Sequence, residues 1–181
     1  MKLTIIFISA ILIFSACKQS DYSATDHPDF QKNVLPQAQR LIDSNKILQG
    51  LAYLDSSYRK LKNPGYGDIL AVYNVKTKTL FNNNADEADL INAMKYADSA
   101  ISLINNHQLK NKYRQQYISL IFHRGDMLVN KDRFDDAYAS YYKAKQILDS
   151  AGMSCEQADY YARLGLIYYK QGKFYKCGFT F

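Results

Sequence analysis

The side chains of this 181-residue chain that could do chemistry are few: Cys17, Cys155 and Cys177, then His27, His107 and His123, and an adjacent carboxylate pair, Asp135-Asp136. A metal site legible in sequence shows such groups at spacings such as HExxH or CxxC, and none of these residues is so placed, so neither a metal centre nor a cofactor is expected. Two neighbouring carboxylates can serve as general acid and base. Here they open a predicted helix, where favourable interaction with its dipole explains them equally well. The sequence has no GxSxG, no P-loop and no GxGxxG, so catalysis is not expected, and an uncharacterised envelope enzyme is the poorer reading.

Cys17 is different, because of what precedes it. Met1-Lys2 gives a positive start, Leu3 to Phe14 carries no charge, and Ser15-Ala16 places small side chains directly before the thiol. An apolar core of about a dozen residues is a secretory signal and falls short of the roughly 20 needed to span a bilayer. Phe14-Ser15-Ala16-Cys17 resembles a bacterial lipobox, with Phe14 where that motif usually has Leu. The resemblance implies a signal peptide over 1–16 and an acylated Cys17. Several acyl chains, at about 0.8 kcal/mol per buried CH₂, would hold the chain at a membrane. The chain would then belong to the bacterial cell envelope, facing the periplasm or the cell surface. Residues 17–35 read as the acylated cysteine and a polar tether, and 36–181 as the folded domain, with Pro36 suited to a first helical turn.

The elements that must position anything on this chain are helices. Hydrophobic residues make up 48% of it, which excludes disorder, and only 8 Gly and 3 Pro speak against a turn-rich β architecture. The net charge of +6 comes from interspersed residues without the run of like charge that a nucleic-acid arm or a polybasic membrane patch would show, so it reads as a solubility feature and no nucleic-acid partner is expected. The doublets Tyr141-Tyr142, Tyr160-Tyr161 and Tyr168-Tyr169 place one ring inward and one at the rim of a helix.

Between Ile118 and Ala151, apolar and small residues recur at three-to-four spacing in two stretches separated by Asn130-Lys131-Asp132-Arg133, which predicts a helical hairpin. Gly125, Ala137 and Ala144 stand where two closely crossing helices leave no room, and Leu128, Phe134 and Tyr141 fill the gaps beside them. This pattern resembles the tetratricopeptide repeat, with Arg124 and Asp149 where that family usually has Leu and Pro. Tyr160 to Phe181 fits the same frame, and weaker copies run through Ala93, Ala97 and Ala100 and through Gly50, Leu54 and Ser57. The equivalent small residues Gly50, Ala93, Ala137 and Cys177 are spaced by 43, 44 and 40. The echo of Tyr53-Leu54-Asp55-Ser56 in Tyr96-Ala97-Asp98-Ser99 is similar to the extracytoplasmic sensor regions of Bacteroidota regulators. Asp55 and Asp98 themselves read as solvent-facing, capping or in contact with the neighbouring repeat.

The resemblance implies an all-α, TPR-like α-solenoid of about three and a half antiparallel helix hairpins. Its groove would be lined by Ser119, Phe122, Asp126, Val129 and Asn130, then by Asp159, Ala162, Leu166, Tyr169 and Lys170. Members that clamp a peptide carboxylate need Lys, Asn and Arg there, and Phe122 and Asp126 do not supply them. The expected function is that of a lipid-anchored binding, scaffold or sensing module for a protein or peptide. The alternative is a truncated input region of a longer signalling regulator. The last repeat stops in mid-pattern, with Phe174, Phe179 and Phe181 close together, which points to self-association through that end or to a shortened repeat protein.

Cys155 falls just before one predicted helix and Cys177 within its antiparallel partner, about 15 Å apart at 1.5 Å per residue, whereas a disulfide needs Cα atoms within about 7 Å. Both thiols are therefore expected to react with a thiol reagent in protein unfolded without reductant. A mass lower by about two hydrogens that reductant restores would show a bridge instead.

Overall fold

The computed structural model describes residues 25–83, 86–152 and 157–173, and among them it contains helices and no strand. The fold is all-α. A short π-helical turn, Phe30–Val34, runs into α1 (Leu35–Asp43), followed by α2 (Ile47–Tyr58), α3 (Tyr66–Asn83), α4 (Glu87–Asn106), α5 (Arg114–Asn130), α6 (Phe134–Ser150) and α7 (Gln157–Lys170). Cys17, Cys155, Cys177, Phe174, Phe179 and Phe181, and with them the lipid site, the thiols and the incomplete end, lie outside the described residues.

Each helix packs on its neighbours in the chain, and the contacts fix their sense. Asn83 meets Asp89 while Tyr66 meets His107, so α3 and α4 run antiparallel. Asp98 meets Arg124 and Asn105 meets Tyr117, which sets α5 antiparallel to α4. Four of the helix ends share one device. Asn45, Gln108, Asp132 and Gly172 have positive φ, and the next N–H donates to the carbonyl five residues back, Lys46 to Leu41, Leu109 to Ile104, Arg133 to Leu128 and Lys173 to Tyr168, at 2.8 to 3.0 Å. This Schellman closure satisfies carbonyls the helix end would leave unpaired and turns the chain sharply. The polar break at Asn130 to Arg133 is the turn between α5 and α6.

The small residues sit at the crossings, as the spacing requires. Ala93, Ala97, Ala100, Ala137 and Ala144 are fully buried. A Cβ on Gly50 would stand 2.9 Å from the Ala38 carbonyl oxygen, and one on Gly125 would overlap the Tyr141 ring. Tyr141 and Tyr160 are buried while Tyr142 and Tyr161 are exposed, so those doublets split between core and rim. One core runs from Leu70 on α3 to Ile167 on α7, and a smaller one joins Phe30, Ala38, Leu54 and Val72.

That smaller core corrects the expected tether. Residues 26–35 are packed, and the folded part starts ahead of Pro36. Phe30 is buried with its ring 6.1 Å from that of Tyr58. The buried Asp68 accepts from the His27 backbone N–H at 3.0 Å, the Gln31 amide at 2.8 Å and the Gly65 N–H at 3.1 Å, and His27 Nδ1 lies 2.7 Å from it. Burial pushes the Asp68 carboxyl up, but these hydrogen bonds outweigh it and hold it below its ordinary value. In return Asp26 accepts from the Gly67 N–H at 2.7 Å and the Tyr113 hydroxyl at 3.3 Å. A side chain at residue 65 would meet the Asp26 backbone nitrogen at 2.6 Å, so only glycine allows this approach. A polar stretch without apolar period reads as a tether, but here its polar groups are met by a buried carboxylate and by the free N–H groups that open α3.

Replacing Ala137 by Leu is expected to overpack the α5–α6 crossing and cost about 1–3 kcal/mol. Gly125→Ala should also destabilise, although Ala gains about 1 kcal/mol over Gly in helix propensity, because the added methyl meets a ring that cannot move aside. Gln146→Ala, at an exposed position of α6, is the control. Denaturation midpoints of the two crossing variants indistinguishable from the control's would contradict the packing.

Candidate functional site

Helices α5 and α7 lie side by side and carry the ten residues expected to line a groove. The structure divides them. Phe122 and Val129 are buried at 3% and 1% exposure and belong to the core, although Phe122 also lines a recess. Ser119 and Asp126 are half-buried, and Asn130, Asp159, Ala162 and Lys170 are exposed. Leu166 and Tyr169 stand out at 40% and 63% exposure. Asp159, Ala162, Leu166 and Tyr169 follow helical three-to-four spacing and share one face of α7.

The centre of this face is Asp126, which acts as a tie between three helices. Its Oδ1 accepts from the Tyr141 hydroxyl of α6 at 2.7 Å and from Arg163 Nε of α7 at 3.0 Å, and its Oδ2 accepts from Arg163 Nη2 at 3.3 Å. The Arg163 guanidinium stacks 4.5 Å over the Phe122 ring, a cation–π contact that also shields the ion pair from water. His123 Nδ1 is 3.8 Å from Asp126 Oδ2, too far for a hydrogen bond but close enough to favour the charged carboxylate. Burial pushes the Asp126 carboxyl up, and His123, Arg163 and Tyr141 together bring it below its ordinary value. Burial beside that carboxylate drives the Tyr141 hydroxyl strongly upward, so it stays a hydrogen-bond donor.

Around this tie lies a recess of about 120 Å³, bounded by Gln115, Ile118, Ser119, Phe122, His123, Asp159 and Arg163. It brings together Ser119, Phe122 and Asp159 from the expected groove, and adds Arg163 and His123. Arg163 was not legible as a site residue, because only the placement of α7 beside α5 shows that it meets an aspartate 37 positions earlier. A wider recess of about 340 Å³ opens between α4, α5 and α6, lined in part by Ser102, Ile121 and Lys143. Arg124 crosses it, with Nε 2.8 Å from Asp98 and Nη1 3.1 Å from the Ser140 hydroxyl.

Arg124 and Asp98 illuminate the repeated Asp-Ser sequences. In the preceding hairpin Asp55 pairs with Lys76 of α3 at 2.7 Å, and Asp98 with Arg124 of α5. Both aspartates contact the helix that follows their own, which is the neighbour contact among the three readings of the sequence. Asp135 and Asp136 lie in the first turn of α6, where Asp136 pairs with Arg133. Among the described residues no three His, Cys, Asp or Glu side chains converge as a metal site would require, and no helix is long and apolar enough to cross a membrane. Comparison with known proteins gives no matching family model, no match among curated proteins and none among solved structures.

Asp126 supplies a pH-dependent part of stability whose sign follows from its lowered carboxyl. The contribution is complete above the ordinary carboxylate range and is lost as the pH falls through the lower value of the folded state. Asp126→Asn is expected to cost about 1.5–3 kcal/mol at neutral pH, as for hydrogen bonds to a charged group, with the difference from the parent shrinking in acid. Denaturant midpoints across the acid range would measure it, and a gap independent of pH would contradict the ionised tie.

Proposed function

We propose that this protein is a lipid-anchored, extracytoplasmic binding or sensing module without catalysis, built as a TPR-like α-solenoid and engaging a protein or peptide along α5 and α7. Three features support the architecture: antiparallel hairpins with small residues at their crossings, leading helices in lateral contact through Phe81 and His123 and through Asp126 and Arg163, and aspartates that tie each hairpin to the next. The observation that carries the binding reading is the α7 face. Leu166 and Tyr169 stay exposed on the helix whose Asp159 and Arg163 bound, with Phe122, a recess toward α5, and exposed apolar side chains gain by being covered.

The role of Asp126 and Arg163 in this reading is to hold α5 and α7 at a fixed separation, so that a partner meets a preformed surface. Their polar atoms serve each other, and recognition falls to the apolar stripe and the recess beside it. Anchorage rests on Cys17, whose acylation would keep the module at the membrane.

Both halves are testable in cells. Cys17→Ala should abolish acyl labelling and detergent-phase partitioning. A photoreactive phenylalanine analogue at position 166 or 169 should crosslink a defined partner in the native envelope, while the same analogue at exposed position 139, on α6, should not. Equal crosslinking from both faces would overturn the binding surface, and unchanged membrane retention would overturn the anchor.

A further inference from the structure

The antiparallel order of the helices sends alternate connections to opposite ends of the molecule, and this sorts the charges. Arg59, Lys60 and Lys62 follow α2, while Lys110, Lys112 and Arg114 precede or open α5. The two groups are far apart in sequence, yet they meet at one end. Tyr66 at the start of α3 and His107 at the end of α4 share a hydrogen bond of 2.9 Å, and Asp26 bridges Gly67 and Tyr113. All six basic side chains are exposed. Among the described residues only Lys112 has an acidic partner, Asp26 at 4.0 Å. Of the other described acids at this end, Asp68 is buried against His27, Gln31 and Gly65, Asp29 accepts from Asn33, and at the α6–α7 corner Asp149 and Asp159 are paired with Lys145 and Arg163. The opposite end carries Asp86, Glu87, Asp132, Asp135 and Asp136, with Lys131 and Arg133 facing Glu87 and Asp136, and with Lys46, Lys170 and Lys173 nearby.

The chain enters the folded part at this basic end. Asp26 and His27 are fastened there, nine residues after Cys17, and nine residues of chain reach at most about 32 Å. We propose that the end formed by Arg59, Lys60, Lys62, Lys110, Lys112 and Arg114 seats on the anionic headgroups of the leaflet that holds the lipid anchor. The α7 stripe then lies on the side of the domain, clear of the bilayer. The proposal rests on the acylated Cys17 for its short leash, while the charge arrangement is independent of it. Juxtamembrane Lys and Arg attract an anionic surface additively, by about fivefold each, and the attraction fades with salt. A leash this short keeps the basic end within reach of the surface, so that even a modest affinity sets the orientation. The acidic end, one helix length away, lies beyond the reach of that field, and turning it toward the surface instead would bring like charges together.

The full chain reconstituted into vesicles of phosphatidylcholine, with and without phosphatidylglycerol, tests this. A fluorescent residue encoded at exposed position 111 or at exposed position 82 reports contact with a headgroup-attached quencher lipid. Phosphatidylglycerol should raise quenching at position 111 and leave position 82 unchanged, and added salt should reverse it. The combined Lys60→Glu, Lys62→Glu and Lys110→Glu variant should lower the phosphatidylglycerol-dependent part by at least about tenfold, with its denaturation midpoint confirming an intact fold. Quenching at position 111 that ignores phosphatidylglycerol or the charge reversal overturns the proposal, even if the chain is anchored. Acyl-chain mass on the Cys17 peptide and retention on pure phosphatidylcholine report the anchor separately, so each reading can fail without the other.

Discussion

The ring of Tyr141 occupies the space that a side chain at residue 125 would take, and the C-terminal half of the molecule is arranged around that approach. With hydrogen alone on Gly125, α5 and α6 cross closely, and Ala137 and Ala144 let the contact continue without a gap. The approach also aims the Tyr141 hydroxyl at Asp126, the next residue of α5. Asp126, so fixed, receives Arg163 and thereby places α7. A steric constraint between two helices thus becomes a polar constraint on a third. The order cannot be reversed, because a carboxylate and a guanidinium on separated helices would have no geometry to hold.

Between hairpins the polar ties contribute direction more than cohesion. Asp55 with Lys76 and Asp98 with Arg124 are each partly exposed, and such pairs contribute about 1 kcal/mol or less. Fully burying one large apolar side chain contributes about 1.5–3 kcal/mol, and Leu70, Ile104, Leu120, Met127, Leu128 and Leu148 all lie deep in a continuous core. Apolar burial therefore holds the hairpins together. The ion pairs decide register, since a slide by one helical turn would keep most of the apolar contact and break the pairing. Lys76 adds a contact 4.9 Å over the Tyr96 ring, so the first of these junctions is fixed from both sides.

The N-terminal end follows the opposite logic, with polar groups doing the docking. Asp68 is fully buried and would be costly without partners, and His27, Gln31 and Gly65 supply them. Phe30 adds the apolar contact that a polar clamp alone would lack. The result ties residues 26–35 to α3 and, through Tyr113, to the approach to α5. One end of the domain is thus both its entry point and the place where two basic connections converge. Lys112 and Lys110 lie 5.0 and 5.7 Å over the rings of Tyr113 and Tyr117, which steadies them on that surface.

How much of this is written in the sequence follows the range of the forces involved. Helices, turns and the crossing residues Gly50, Ala93, Gly125 and Ala137 are legible because they depend on neighbours three or four positions away and on a spacing that recurs. The inward and outward partners of the Tyr141 and Tyr160 doublets follow from the same period. The partners of Asp68, Asp126, Asp55 and Asp98 are not legible in this way. Each lies on another element, and a charged residue on a helix surface looks the same in sequence whether it faces water or a cation. The burial of Phe122 and Val129 is likewise set by the neighbouring helices. The sequence by itself determined an all-helical chain with its crossings and turns. Only tertiary structure decided which polar groups meet, where the folded part begins and that basic residues scattered along the chain share one end, because those outcomes depend on distances between segments that local periodicity does not encode.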